Sequence, residues 1–249
     1  MKHSENVKAA MLSMVLVLSL TINGISQVDL GDDFLLTTTW GGSARINMFN
    51  PGENSPGCHS TALAQICYYH RLQPHGVKEY VTSQGYEVNL NFDDHQFNWD
   101  LFQAVLNDET PEESAREMAL YSYFMASMVE KNFGTGSYQK KFHKKQLREH
   151  LDAKVRERFG YKSFPLNRRR IKGIFRKEID SKRPVYFHYT DFNGGGHSVV
   201  IDGYQEINDE FWVHANFGWG GKRNGWYKFE KDCFLENTKL ELVITIKPV

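Results

Sequence analysis

Apolar residues change their spacing several times along this chain. The first pattern is a largely unbroken apolar run from Ala9 to Ile22, behind a polar start with Lys2 and Lys8 and ahead of Gly24-Ile25-Ser26. A charged start, a short apolar run and small residues at the two positions read by a signal peptidase make a secretory signal. Residues 1–26 are therefore expected to be removed, leaving residues 27–249 as one mature domain. The run is shorter than the ~20 apolar residues that span a bilayer, so no membrane anchor is expected.

Helical spacing follows. A helix is expected to open near Cys58 and stop before Pro74, and a second to begin at Thr110-Pro111-Glu112-Glu113 and run to about Gly134. In the second, Thr110 suits a cap, Pro111 the first helical position and Glu113 a capping box. Leu147, Leu151, Val155 and Phe159 recur every four residues and predict a helix ending near Gly160. Ile171, Ile174, Phe175 and Ile179 predict another, ending near Asp180. After Pro184 the texture becomes short β-branched and aromatic runs separated by Gly, Asn and Asp: Val185–Tyr189, Ser198–Tyr204, Phe211–Asn216, Gly225–Phe229 and Leu240–Ile246. Helices first and strands later, without alternation, predict an α+β fold in which a helical half precedes an antiparallel half.

Composition adds little until it is divided. The 249 residues hold 30 Lys and Arg against 30 Asp and Glu, with 41% hydrophobic residues. That is a globular balance, neither disordered nor collagen-like. Residues 27–130 carry 4 basic and 15 acidic side chains, residues 131–183 carry 18 and 5, and residues 184–249 carry 6 and 9. The basic middle coincides with the two predicted basic helices. Lys140, Lys141, Lys144, Lys145, Arg148, Arg156 and Arg158 on the first, and Arg168, Arg169, Arg170, Lys172, Arg176 and Lys177 on the second, are expected to face water. Nothing in the chain matches a nucleic-acid-binding motif, and no nucleic-acid partner is expected.

Chemistry concentrates at Cys58. It follows Pro56-Gly57 and opens a helix, where free N–H groups and the helix dipole favour a thiolate. Cys67 lies nine residues further along, about 13 Å at 1.5 Å per residue, too far for a disulfide to Cys58. It falls with Leu63 and Ile66 on an apolar face, and Cys233 is either free or paired with Cys67. Cys58, His59, Cys67 and His70 lack the spacing of a zinc site, and neither a metal nor a cofactor is expected. A cysteine nucleophile needs an imidazole and a group to orient it. Among ten histidines, His197 is the best placed, between Gly194-Gly195-Gly196 and the strand Ser198-Val199-Val200-Ile201. His59, His70 and His214 read as packing or surface residues. Asn216, followed by Phe217 and Trp219, is a candidate to hold the His197 ring behind an aromatic screen.

At these residues the sequence resembles the streptopain family of secreted, papain-like cysteine peptidases. The run from Gly57 to His70 is similar to that family's G-C-x-A-T-A-x-A-Q-I-M-x-Y-H helix. Gly195-Gly196-His197-Ser198-Val199-Val200-Ile201-Asp202-Gly203 is similar to its G-G-H-A-x-V-I-D-G strand, and His214-Ala215-Asn216-Phe217-Gly218-Trp219-Gly220-Gly221 to its H-V-N-W-G-W-G-G segment. Weaker echoes occur at Phe97-Asn98-Trp99 and Phe159-Gly160-Tyr161. The resemblance implies a papain-like fold and endopeptidase activity on protein or peptide substrates, with Cys58 as nucleophile, His197 as acid and base, and Asn216 as orienting residue. It also implies that Cys67 replaces a core Met. Where the family carries an oxyanion-binding Gln, this chain has Gly42, within Trp40-Gly41-Gly42-Ser43. The Cys58 backbone N–H and Ser43 are then the candidate donors.

Two rival functions follow from the same residues. Gly42 favours a secreted binding or inhibitory homologue without full activity, and the Cys–His pair also suits another acyl transfer such as transamidation. Residues 27–249 are filled by the catalytic region, so no propeptide is expected, and restraint by a separate inhibitor chain is the expected alternative.

Overall fold

The computed structural model describes residues 20–22, 25–140, 143–161, 167–190, 195–230, 233–234 and 240–249. Most of the predicted signal, together with Lys141 and Gly194, lies outside the described residues.

One large antiparallel sheet organises the chain. Its strands are β1 (Leu20–Ile22), β2 (Ile25–Val28), β5 (Ala153–Tyr161), β6 (Val185–Thr190), β7 (Gly196–Ile207), β8 (Glu210–Asn216), β9 (Gly225–Lys228) and β10 (Leu240–Pro248). They lie in the order β1-β2-β9-β8-β7-β6-β10-β5. A separate hairpin joins β3 (Val77–Val81) to β4 (Glu87–Asn91). The helices are α1 (Gly57–Tyr69), α2 (Glu112–Met128), α3 (Lys144–His150) and α4 (Arg168–Asp180).

Side-chain alternation in the central strands divides the interior into two layers. Tyr186, Val200, Leu242 and Ile244 pack with Leu63 and Ile66 of α1 and Met118 and Met125 of α2. Val185, Phe187, Val199, Ile201 and Val243 point the other way and pack with Ile171 and Phe175 of α4. Both faces of the sheet centre are therefore covered, which is why β6 and the start of β7 read as nearly continuous apolar runs. Helix α1 is enclosed by its neighbours, with every residue from His59 to Cys67 buried. Apart from His59 and Gln65, its buried residues are small or apolar on all sides, as that placement requires.

The five late strands and α4 form as the spacing predicts, with Ile171, Phe175 and Ile179 buried and Arg169, Arg170 and Lys177 outside the core. Two expectations fail. The Leu147–Phe159 segment is a short helix followed by a strand. A four-residue spacing is a multiple of the strand period of two as well as close to the helical turn, and nine register pairs with β10 decide for the strand. Val155 is buried there and Phe159 is 46% exposed.

Helix α2 opens at Glu112 without a side-chain cap and ends at Met128, short of Gly134. The Thr110 hydroxyl is used by the preceding turn, where it accepts from Asn107 N at 3.0 Å. Beyond the helix, Lys131 bridges to Tyr138.

Phe175 is fully buried, 5.1 Å from the Phe229 ring and 6.2 Å from Phe187. Phe175→Ala is expected to cost about 3–5 kcal/mol in denaturant unfolding. Arg169→Ala, on the exposed face of the same helix, is expected to change stability by no more than about 0.5 kcal/mol.

Candidate active site

Cys58 is the second residue of α1, so its backbone N–H has no intrahelical acceptor and points out of the helix N-terminus. Pro56 and Ser60 are joined across that terminus by Tyr138, whose hydroxyl donates to Pro56 O at 3.1 Å and accepts from Ser60 N at 3.2 Å. The thiol borders a cleft of about 290 Å³ together with Gly42, Ser43, Asn47, Thr61 and Trp219. Burial pushes the Cys58 thiol up, but hydrogen bonding to and charge on His197, with Ser198 alongside, hold it below its ordinary value. Lys131 adds a cation nearby, its ammonium donating to Thr135 O at 2.6 Å and to Ser137 O at 3.3 Å.

His197 sits near the start of β7, buried, with its ring 4.3 Å from Trp219 and stacked at 5.7 Å on Phe217. Its Nε2 is 2.8 Å from the backbone carbonyl of Phe217. A carbonyl only accepts, so Nε2 carries the proton, and Nδ1 is the basic nitrogen left to take the thiol proton. The structure thus brings together Cys58, His197, Phe217 and Trp219 as the sequence suggests.

Asn216 is placed differently from its expected role. Its side chain does not hold the imidazole; the Phe217 carbonyl does. The Asn216 amide donates to Thr38 O at 2.6 Å and to Gln65 Oε1 at 3.2 Å, and accepts from Gln65 Nε2 at 3.3 Å and from Gly218 N at 3.0 Å. Gln65 Oε1 also accepts from the Thr38 hydroxyl at 2.9 Å and Trp40 N at 3.2 Å. Asn216 therefore fixes the 216–218 turn that presents the Phe217 carbonyl. The physical reason is the strand period. Asn216 ends β8 with its side chain turned toward α1, and the next residue's carbonyl falls toward His197 instead.

Gly42 and Ser43 line the cleft as expected, and the Ser43 hydroxyl accepts from Arg45 N at 3.2 Å, capping the short turn Ala44–Asn47. Neither glycine beside Trp40 readily takes a side chain. A Cβ on Gly41 would lie 1.9 Å from Gly218 O, and Gly42 has φ +79°, a left-handed conformation in which a side chain is strained.

All three cysteines are free, so no Cys67–Cys233 bridge forms. Burial pushes both of those thiols up to about 12, which leaves Cys58 as the reactive one. Among the described residues no cluster of ligands suits a metal ion.

Sequence reasoning missed Gln65, Tyr138, Lys131 and a polar group around Ser198. Gln65 was discoverable, since seven residues are two helical turns and place it on the face of Cys58. His59 proves fully buried, beside His143 at 4.3 Å between ring centroids. His214 is also internal, bonded through Nδ1 to Asp202 Oδ1 at 2.7 Å and stacked on Phe34 at 3.8 Å.

The fold and the paired thiol and imidazole define the papain-like class of cysteine peptidases. The chain matches the Peptidase C10 family over residues 40–227 and belongs to that family. It is 29% identical over 213 residues to streptopain of Streptococcus pyogenes, covering 74% of this chain and 50% of that protein. It is 28% identical over 177 residues to the thiol protease/hemagglutinin PrtT of Porphyromonas gingivalis, covering 68% of this chain and 20% of that protein. The chain thus spans half or less of the length of these curated relatives. The fold matches active interpain A cysteine protease of Prevotella intermedia with a TM-score of 0.68 at 22% identity, covering 84% of this chain and 92% of that one.

Asn216→Ala is expected to lower stability by about 1–3 kcal/mol, because it strands Thr38 O, Gln65 and Gly218 N in the interior. Turnover falls with it, as the turn that carries the Phe217 carbonyl loosens. Denaturant unfolding and peptide hydrolysis measured on the same preparation check both effects.

Acid sensitivity follows from buried imidazoles. Burial lowers His143 and His188 from the ordinary 6.5 to about 4. Below about 6.5 the unfolded chain takes up these protons first, so their contribution to stability is complete above that pH and is lost as pH falls toward about 4. The unfolding midpoint is expected to drop over that window, and to drop less steeply in His143→Gln.

Proposed function

We propose that this chain is an exported cysteine endopeptidase that cleaves protein or peptide substrates through a Cys58 thioester. The observation that carries the reading is the half-buried thiol at the start of α1 next to an imidazole whose other nitrogen is committed to the Phe217 carbonyl.

In this reading His197 Nδ1 takes the Cys58 proton, giving a thiolate–imidazolium pair. The thiolate attacks the scissile carbonyl, and the developing oxyanion is met by the Cys58 N–H at the helix terminus. Ser43 is the side chain placed in the same cleft to supply a second donor. The His197 imidazolium then protonates the leaving amine, and a water deprotonated by His197 hydrolyses the thioester. Trp219 against the His197 ring keeps water from competing for its bond to the Phe217 carbonyl. Glycines at 41 and 42 leave the cleft open beside Cys58, and Gly42 supports the second reading, a binding homologue of reduced activity.

Export rests on the signal pattern of residues 1–26. Cleavage after Ser26 retains Gln27 and Val28, the two residues that pair with β9. The exposed basic residues of α4 are the proposed docking face for an acidic inhibitor chain.

An epoxide inhibitor of cysteine peptidases is expected to label the protein at Cys58, with labelling abolished in Cys58→Ala and peptide hydrolysis lost in parallel. Absence of labelling at Cys58 in folded protein would remove the peptidase reading in favour of the binding one.

A further inference from the structure

The Cys58 sulfur has a second polar neighbour besides His197. Strands β6 and β7 pair with His188 opposite Ser198 and Tyr186 opposite Val200. Ser198 is 1% exposed. Its hydroxyl oxygen lies 3.8 Å from Cys58 Sγ, 2.8 Å from the Tyr186 hydroxyl and 2.9 Å from His188 Nδ1. The Tyr186 hydroxyl is in turn hydrogen-bonded to His59 Nδ1. His59 Nε2 is buried and has no hydrogen-bond partner.

Counting protons orients this group. Ser198 and Tyr186 have one each, and a neutral imidazole has one N–H. His59 and His188 are both held neutral, chiefly by burial. A buried N–H without an acceptor is costlier and rarer than an unfilled lone pair, so the bare His59 Nε2 is the deprotonated nitrogen and Nδ1 carries the proton. His59 then donates to Tyr186. Tyr186 must pass its own proton to Ser198, and the Ser198 proton then has two acceptors in reach, His188 Nδ1 when the proton of that ring sits on Nε2 and the Cys58 sulfur when it sits on Nδ1. With the His188 proton on Nδ1, that ring fills the second lone pair of the Ser198 oxygen and the Ser198 proton is directed to the Cys58 sulfur.

We propose that Ser198 is a positioning residue for the nucleophile, donating its hydroxyl to the Cys58 thiolate while Tyr186, His188 and His59 hold it in that donor orientation. This rests on the reading of Cys58 as the nucleophile. No net charge is involved, so the chain stabilises the thiolate without competing with the His197 imidazolium. Its contribution is to the ground state, because attack on a carbonyl moves the negative charge from sulfur to oxygen. Removing it raises the pH at which the thiolate forms and does not weaken the thiolate once formed, since nucleophilicity rises with thiol basicity.

The test is the pH dependence of iodoacetamide alkylation at Cys58, read by peptide mass spectrometry, in wild type, Ser198→Ala and Tyr186→Phe. His197, Lys131, Tyr138 and Tyr189 also face Cys58, and His143 faces His59, and all are unchanged in these variants. Ser198→Ala is expected to move the acid limb up by about one pH unit, with a plateau rate at high pH equal to or above that of wild type. Tyr186→Phe is expected to move it in the same direction by less. A low wild-type limb that stays in place in folded Ser198→Ala, or in Tyr186→Phe if the first variant does not fold, overturns the assignment while leaving the peptidase reading intact. A wild-type limb at the ordinary cysteine value overturns the nucleophile reading itself.

Discussion

Gln65 and Asn216 exchange side-chain hydrogen bonds in the interior, at 3.2 and 3.3 Å, and the two arms of the site are held relative to each other through that contact. Gln65 belongs to the helix that carries Cys58. Asn216 belongs to the end of β8, one residue before the carbonyl that holds His197. The same pair collects Thr38 and Trp40 from the loop that borders the cleft. Both amides are almost fully buried, so each lost partner strands a polar group away from water. Displacing any one of the three segments therefore breaks bonds in the other two, which ties reactive geometry to fold stability.

Around Cys58 the interior is more polar than a hydrophobic core requires. His59 packs against His143, and His59 and His188 reach the Ser198 hydroxyl beside Cys58, the first through Tyr186; burial keeps all three imidazoles below their ordinary value. Their neutrality has a chemical consequence. In the proposed mechanism a second imidazolium in this low-dielectric setting would repel the one on His197, whereas neutral rings contribute only directed N–H groups and lone pairs. Lys131 supplies positive charge from another direction, with its ammonium tied to the Thr135 and Ser137 carbonyls and burial lowering its basicity.

The fold was legible where local pattern and tertiary environment agree. Helix α4 has one apolar stripe and one basic face because it lies on the sheet with its other side in water. Strands β6 to β10 announce themselves through β-branched and aromatic runs bounded by glycine and asparagine. Legibility failed at residues 151–161, where a four-residue spacing fits either period and the partner strand β10 lies some ninety residues away. It failed again at Thr110, whose hydroxyl is engaged by the preceding turn.

The sequence by itself determined the chemical inventory: a thiol behind Pro56-Gly57 at a helix start, a histidine entering a buried strand, and glycines beside the cleft. These depend on local backbone constraints that a short motif encodes. Only the tertiary structure decided which groups meet. It replaced the expected Asn216 amide with the Phe217 carbonyl and brought Ser198 to the sulfur with Tyr186 behind it. A one-residue step along a strand turns a side chain to the opposite face, and strand register is set by pairing between segments that no local pattern joins. For that reason Cys58, His197, Phe217 and Trp219 could be named from the sequence, while Gln65, Tyr138, Lys131 and the hydrogen bonds of the site could not.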